Sequence, residues 1–508
     1  MSCSPRSLCA SILFMGRLFC SMVIAVSGML GGLTVHASKP ERPNLILLFA
    51  DDQRPDTVGA FGNPHIHTPH LDRLVDQGMR FNRNYCAGSY SGAVCVASRT
   101  MLMTGRHWMR VADRKDWKGL PLLPEVLAKE GYRTFITGKW HNGQRSLRRA
   151  FQSGKNVFMG GMSDHTKVPL VDLKRSGELV DPRTPRGFSS QLFADAAVEF
   201  LKAQTESDQP FFLYVAFTAP HDPRNPPPSY RERYYRDRPP MPPNFLPAHP
   251  FDNGFVRGVG RDESLAPWPR PEEMIHDQLC EYYGLITHLD DQVGRILHAM
   301  QQLPKVKKTY LIYTADHGLA MGSHGLLGKQ NIYEHSVRSP FIAVGPGIQA
   351  GTRTEALTYI HDIYATFCEL AGVDLPAGVD SRSLVPLWNG KTERVRQTAF
   401  LPFRDVMRGI TDGRWKLHRY PHVNHTLLFD LHEDPHEMND LANVPGLKVV
   451  KERLMRSLED WQERLGDGLS LTTDQPKPLE MDFLGFEQRL DRWQPKWIRD
   501  KYFGGRSE

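Results

Sequence analysis

Short apolar runs that end in charged or histidine residues are the feature of this 508-residue chain that most constrains its fold. The runs cover residues 43–50, 132–137, 211–217, 310–314 and 341–344. Runs of this length without alternation are typical of strands buried on both faces, as in a parallel sheet. Helical patterns over residues 122–129, 190–204, 280–302 and 360–371 separate them. The alternation predicts an α/β fold in which helices cover both faces of the sheet.

Four of these runs are followed by residues that carry chemistry. They are Asp51-Asp52, Lys139 with His141, His221, and Asp316-His317. Because the carboxyl ends of parallel strands meet at one edge of a sheet, where α/β proteins place their sites, we expect these side chains to come together. Two adjacent buried carboxylates are costly unless a cation lies between them, so Asp51, Asp52 and Asp316 are predicted oxygen ligands of a metal ion.

The N-terminus has the pattern of a secretory signal peptide over residues 1–37. Arg6 and Arg17 precede or open an apolar stretch, and small residues flank His36 at the predicted cleavage site. This pattern predicts export to the periplasm or the extracellular space, with no stable membrane association after cleavage. The alternative is an uncleaved anchor helix, which the glycines of the stretch would weaken.

The remaining chain divides by pattern into three parts. Residues 38–390 are predicted to form the catalytic domain, and residues 219–271, dense in Pro and Arg, a long insertion over its site. Residues 391–466 predict a small antiparallel α+β domain, with an Asp412-Gly413 hairpin turn and an amphipathic helix over 447–465. Residues 467–508 are a polar tail.

Composition excludes several classes of function. The 63 Lys+Arg against 57 Asp+Glu give a net charge of +6 without a basic block, so nucleic acid is not an expected partner. Only the N-terminal segment is apolar enough to meet a membrane, which excludes a multispan protein. Beyond residue 37 there are Cys86, Cys95, Cys280 and Cys368, too few to define a disulfide framework.

The most informative motif is Cys95-Val96-Ala97-Ser98-Arg99, followed by Thr104-Gly105-Arg106. Alone it could be a buried cysteine before a helix. Together with the strand-end residues and with segments 68–74, 361–366 and 429–437, it resembles the type I sulfatases of the alkaline phosphatase superfamily, over nearly the whole mature chain. The sequence departs from the family pattern at Ala97, where Pro is commoner, and at His317, where many members have Asn.

The resemblance implies an alkaline-phosphatase-like sandwich with a large mixed, mostly parallel sheet flanked by helices. It also implies that a maturation enzyme oxidises Cys95 to formylglycine. One Ca²⁺ would be held by Asp51, Asp52, Asp316, His317 and the converted Cys95.

Roles for further residues follow from the same resemblance. Arg99 would hold the formylglycine hydrate, Lys139 and Lys329 would bind sulfate and the leaving oxygen, and His141 would be the base. His221 would protonate the leaving group. His324 and Glu334 would support Lys329 from outside the site.

The chemistry explains why such parts are needed. A sulfate ester is an anion that repels an anionic nucleophile, and a bound cation offsets this repulsion. One hydroxyl of a hydrated formylglycine can attack sulfur, and collapse of the second to the aldehyde expels sulfate. Export, the Arg- and His-rich insertion and Asp316-His317 favour a sulfated carbohydrate as substrate. The alternatives are a formylglycine-dependent phosphodiesterase or phosphonate monoester hydrolase, and a non-catalytic glycan-binding protein with unmodified Cys95.

Overall fold

The computed structural model of the chain describes residues 42–255, 261–481 and 494–504. The predicted signal peptide lies outside these ranges. Within them, no helix combines the length and the apolar character needed to cross a bilayer. The strands, in chain order, are β1 (Asn44–Ala50), β2 (Met79–Phe81), β3 (Asn84–Tyr85), β4 (Arg133–Lys139), β5 (Ser153–Phe158), β6 (Leu170–Leu173), β7 (Leu179–Arg183), β8 (Phe211–Ala216), β9 (Thr309–Ala315), β10 (Phe341–Val344), β11 (Thr352–Thr354), β12 (Thr358–Tyr359), β13 (Ala399–Phe403), β14 (Met407–Thr411), β15 (Trp415–Tyr420) and β16 (His425–Asp430).

Helices occupy much of the chain between these strands. They are α1 (Pro69–Gln77), α2 (Val94–Thr104), α3 (Leu123–Lys129), α4 (Gln144–Ala150), α5 (Ser189–Lys202), α6 (Pro228–Arg236), α7 (Glu272–Gln301), α8 (Glu334–Val337), α9 (Asp362–Leu370), α10 (Val385–Trp388), α11 (Lys448–Leu465) and α12 (Lys496–Tyr502).

Ten strands form one sheet in the order β11-β2-β10-β9-β1-β8-β4-β5-β6-β7. The central strands β9, β1, β8, β4 and β5 are parallel to one another. β10 and β6 run antiparallel to their neighbours. The structure thus confirms the predicted mixed, mostly parallel sheet.

Both faces of this sheet are buried, as the unbroken apolar runs predict. Side chains of a strand alternate between the two faces. On β1, Leu45, Leu47 and Phe49 pack in one apolar cluster, with residues of α2, α3 and α9. Ile46 and Leu48 pack in the opposite cluster, with residues of α5 and α7.

Besides a two-stranded pairing of β12 with β3, a four-stranded antiparallel sheet, β13-β14-β15-β16, lies in the C-terminal part of the chain. Its residues Phe400, Ile410 and Leu417 pack against Leu454 and Leu458 of α11. The predicted small antiparallel α+β unit is therefore present. The hairpin between β14 and β15 turns at Gly413, whose φ of 99° favours glycine.

Several elements differ from the sequence-based prediction. α7 begins at Glu272, directly after the Pro-rich insertion, and not near residue 280. The strands β6 and β7, the last two at one end of the sheet, were missed because they are only partly buried and lack an apolar run. The C-terminal tail contains α12, where Ile498 packs in an apolar cluster with residues of α7.

Candidate active site

The carboxyl edge of the central sheet gathers the predicted site residues. β1 ends at Ala50, beside Ala315 at the end of β9, so Asp51 and Asp316 leave neighbouring strands at the same level. Lys139 is the last residue of β4. Asp52 turns into the left-handed region with a φ of 66°, and so does His141 with a φ of 65°. For residues other than glycine this conformation costs about 1 kcal/mol and persists where surrounding contacts impose it.

The cysteine of the motif lies in the first turn of α2 and is 2% exposed. Its Sγ is 3.4 Å from His141 Nδ1 and 3.6 Å from Lys139 Nζ. Burial opposes ionisation of this thiol, but the charges of Lys139 and Lys329 outweigh it and lower the pKa of Cys95 to about 6. Residue 95 is therefore placed where a negative charge is stabilised, which is what a nucleophile needs.

Arg99 lies one helical turn after Cys95, on the same face of α2. Its guanidinium donates to the Lys139 carbonyl and to the Tyr214 hydroxyl, each at 3.0 Å, and lies 3.5 Å from Asp316 Oδ2. Tyr214 was not predicted from the sequence, because it is one polar group within the apolar strand β8. The buried guanidinium is thus fixed between the helix and the strand ends.

Three carboxylates meet beside this helix: each of Asp51, Asp52 and Asp316 has an oxygen within 4.8 Å of the others. Burial raises the pKa of Asp52 to about 6, although Lys329 and His317 oppose the shift. Burial also disfavours a charged His317, but Asp316 and Asp52 outweigh it and raise the pKa of that imidazole to about 9.

The same cluster meets the requirements of a cation site. Asp51 Oδ1 and His317 Nε2 are buried and make no hydrogen bond within the described part of the chain. A carboxylate oxygen and an imidazole nitrogen can both ligate a metal ion, and the three carboxylates supply the hard oxygens that Ca²⁺ prefers. Because His317 must be neutral to ligate, metal binding would release a proton.

Lys329 and His221 form a pair on the other side of the cluster. Lys329 Nζ donates to both Asp52 oxygens, at 2.9 and 2.8 Å, and lies 3.0 Å from His221 Nε2. His221 Nδ1 lies 2.8 Å from the Asp222 carbonyl oxygen, so this nitrogen donates and Nε2 accepts from Lys329. Burial and the Lys329 charge hold the pKa of His221 well below its usual value. The proton of this pair therefore resides on Lys329.

A cavity of about 300 Å³ opens onto residue 95. The insertion contributes its wall, as predicted, through Phe255, Arg261 and Asp262. Arg261 forms ion pairs with Asp222 at 2.7 Å and Asp262 at 2.6 Å. Reasoning from the sequence missed these three charged residues. Asp222 could have been found from its position directly after His221, whereas Arg261 and Asp262 lie in an irregular segment that follows no sequence pattern.

His324 and Glu334 are the two residues predicted to support Lys329 from outside the site. Within the described ranges neither forms a hydrogen bond or ion pair with that ammonium. His324 stacks on Tyr333 and Glu334 binds Lys416 of β15 at 2.8 Å. Both contact the interface with the C-terminal sheet, and their support of Lys329 from outside the site stays a prediction.

Known proteins resemble this chain over most of its length. The Sulfatase family model matches residues 43–373, and the model of the N-sulphoglucosamine sulphohydrolase C-terminal region matches residues 322–464. N-acetylgalactosamine-6-sulfatase of Mus musculus is 28% identical over 447 residues, which cover 79% of this chain and 76% of the mouse protein.

Two solved structures share the fold at 22% identity. One, a complex with its substrate D-glucosamine-2-N,6-O-disulfate, has a TM-score of 0.72 and covers 84% of this chain and 99% of its own. The other, phosphonate monoester hydrolase of Agrobacterium radiobacter, has a TM-score of 0.68 and covers 84% and 96%. With the family match over most of its length, the chain belongs to the type I sulfatases of the alkaline phosphatase superfamily, a family of sulfuric-ester hydrolases.

Proposed function

We propose that this protein is an exported sulfatase that hydrolyses sulfate esters of a sulfated carbohydrate, with formylglycine at position 95 and one Ca²⁺. The observation that carries the proposal is the position of Cys95 Sγ. It lies 3.4 Å from His141 and 3.6 Å from Lys139, in the cavity that Lys329 and His221 also line. One cavity thus contains a nucleophile position, a base, and donors for an anion.

The metal would be held by Asp51, Asp52, Asp316 and His317, with residue 95 completing the set. When bound, the cation would polarise the sulfate oxygens and offset the charge that develops on them. With one ligand atom each, these five side chains fill part of the six to eight positions that Ca²⁺ takes, which leaves room for oxygens of the substrate.

Formylglycine would supply a hydrated aldehyde as the nucleophile. His141 Nδ1 faces residue 95, and burial together with the Lys139 charge holds the pKa of His141 well below its usual value. The imidazole is therefore neutral and can accept a proton from the side chain of residue 95. Lys139 and Arg99 orient that side chain and balance the carboxylates.

The leaving oxygen would meet the Lys329–His221 pair. The ammonium stabilises charge that develops on this oxygen, and His221 accepts a hydrogen bond that orients the ammonium. A proton for the leaving group is available on Lys329 itself.

The substrate class and the location rest on the sequence and on relatives. The mouse relative is named for a 6-sulfated amino sugar, and the solved complex contains a sulfated glucosamine. Cleavage of residues 1–37 would release the mature protein, a catalytic domain to residue 390 with its C-terminal unit and tail, into the periplasm or the extracellular space. A formylglycine-generating enzyme would be a required partner before folding ends.

The mass of the tryptic peptide that contains position 95 tests the nucleophile, since a peptide with the aldehyde and one with the thiol differ in mass. Active wild type should carry formylglycine, and Cys95→Ala should fold without turnover. Cys95→Ser lacks the second hydroxyl and should stop after at most one turnover. Cys368→Ala, which removes a buried thiol from α9, is the matched control and should stay active. Sustained turnover by either Cys95 variant would refute the mechanism.

A second function deserves comparison because the Agrobacterium phosphonate monoester hydrolase shares the fold. Sulfate, phosphate and phosphonate esters of one nitrophenol separate the two activities. We expect kcat/KM to be highest for the sulfate. An unmodified thiol at position 95 in protein from its native host would instead favour the glycan-binding alternative.

A further inference from the structure

Residues 261–265 of the Pro-rich insertion lie against the loop that carries Lys329. Glu263 in this segment is 4% exposed. Its carboxylate accepts the backbone N–H of Leu327 at 3.0 Å and that of Gly328 at 2.8 Å, the two residues before Lys329. A buried carboxylate that accepts two amides fixes the backbone that donates them.

The carboxylate is held in turn by Arg270, at the end of the insertion. Arg270 is 2% exposed, and its guanidinium forms an ion pair with Glu263 at 2.5 Å. It also donates to the Glu263 carbonyl at 2.7 Å. The guanidinium lies over the ring of Trp268, 4.1 Å from its centroid. Glu263 therefore has one well-defined position.

The contact is close on both sides. A Cβ added at Gly328 would lie 2.8 Å from Asp262 Cβ and 3.0 Å from Glu263 Oε1, so the loop and the insertion touch without room for a side chain. Next to it, Gln330 donates to Asp262 Oδ2 at 2.9 Å. Residues on both sides of Lys329 are thus bound by consecutive residues of the insertion.

We propose that Glu263 and Arg270 are positioning residues that set Lys329 against Asp52 and His221. The insertion then does more than wall the substrate cavity: it fixes the group that stabilises the leaving oxygen. The inference rests on the proposed function for the role of Lys329, and on the backbone contacts for the positioning itself.

The test compares Glu263→Gln with wild type on an alkyl sulfate and on nitrophenyl sulfate. The amide would turn its NH₂ toward one of the two backbone donors, and a misplacement of about 1 Å can cost on the order of 10²-fold in rate. We expect kcat/KM on the alkyl sulfate to fall by about that factor and the loss on nitrophenyl sulfate to be much smaller. In a Lys329→Ala background the same substitution should cost little.

Asp362→Asn is the matched control. Asp362 is also fully buried, accepts the amides of Tyr359 and Arg382, each at 2.8 Å, and pairs with Arg396. Its loss should lower the melting temperature without changing the ratio between the two esters. Should Glu263→Gln fail to fold, Arg270→Lys takes its place in the test. It keeps the positive charge beside Glu263 but removes the second guanidinium donor, which binds the Glu263 carbonyl oxygen.

Hydrogen exchange of the peptide that spans residues 325–331 provides a measurement independent of turnover. Faster exchange in Glu263→Gln supports the positioning role even if wild type proves inactive on sulfate esters. Such inactivity would refute the proposed function but not the positioning role. Unchanged exchange, or equal losses on both esters by an active enzyme, would overturn the positioning role.

Discussion

The assignment of Lys329 and His221 to the leaving group makes a quantitative prediction. Replacing Lys329 by alanine removes a buried ammonium that lies 3.0 Å from His221 Nε2. Replacing His221 by alanine removes only a neutral acceptor. We expect both variants to lose more rate on an alkyl sulfate than on nitrophenyl sulfate, and Lys329→Ala to lose more than His221→Ala.

The magnitude follows from distance and burial. At about 3 Å and an effective dielectric constant near 20, a full charge on the leaving oxygen interacts with an ammonium by about 5.5 kcal/mol. That energy corresponds to about four orders of magnitude in rate, close to the upper range for general acids. Nitrophenolate is a weak base and needs little of this help. The alkyl-to-nitrophenyl ratio should therefore fall at least about 10²-fold in Lys329→Ala and about 10-fold in His221→Ala.

The assay is kcat/KM for both esters, because it reports the first irreversible step. Lys155→Ala, which removes an ammonium that is 41% exposed and paired with Glu199, is the control and should leave both rates unchanged. An alkyl-to-nitrophenyl ratio equal to that of wild type in Lys329→Ala would refute the assignment. A larger drop in His221→Ala than in Lys329→Ala would place the proton on the imidazole.

Three further predictions concern stability and metal. Asp316→Ala should abolish activity and the stabilisation by Ca²⁺, which is measured as a rise in melting temperature and for wild type is about 2.7 kcal/mol at 100 times Kd. Full wild-type activity after chelation, with no metal by elemental analysis, would contradict the site. Lys416 is fully buried between Glu334 at 2.8 Å and Glu437 at 3.0 Å. Lys416→Met should therefore lower the free energy of unfolding, measured in urea, by about 3–5 kcal/mol, and adding Glu437→Gln should restore part of it. A loss no larger than that of Lys155→Met would argue against this. Burial lowers the pKa of His249 to about 3 and those of His288, His361 and His418 to about 4. Below about pH 6.5 the unfolded chain binds protons on these histidines and the folded chain does not. Stability should therefore fall from pH 6.5 to 4 by up to about 1.4 kcal/mol per pH unit for each histidine. Melting temperatures that stay constant between pH 7 and 5 would contradict this.

The parts of the site that the sequence predicted are those that local pattern and parallel pairing determine. An apolar run that ends in Asp51-Asp52 and another that ends in Asp316-His317 place these residues together once β1 and β9 pair in register. The motif identified Cys95, but the helix α2 that carries it was not among the predicted helices, although Gly105, which ends this helix with a φ of 65°, is part of the motif.

The parts that were missed depend on tertiary contacts between distant segments. Glu263 binds amides 64 and 65 residues away, and nothing in the composition of the insertion distinguishes it from exposed acids nearby. The position of β8 between β1 and β4 is likewise a property of the sheet, and it is what brings Tyr214 to Arg99. His324 and Glu334 show the converse, since closeness in sequence to Lys329 did not bring a hydrogen bond or ion pair with its ammonium among the described residues.

Charge balance explains why these residues must be read as a set. The carboxylates of Asp51, Asp52 and Asp316 carry three negative charges, and Arg99, Lys139 and Lys329 carry three positive ones, all in side chains exposed by 3% or less. The charges of these six side chains thus cancel without a cation, and a divalent ion would make their sum positive, which favours a bound anionic ester. Removing one acid leaves a lysine or arginine buried without its partner, a loss of about 3–5 kcal/mol in such sites. Variants of the carboxylates should therefore lose stability as well as activity. A loss of activity in such a variant reports on the chemistry only when the stability of the same variant has been measured.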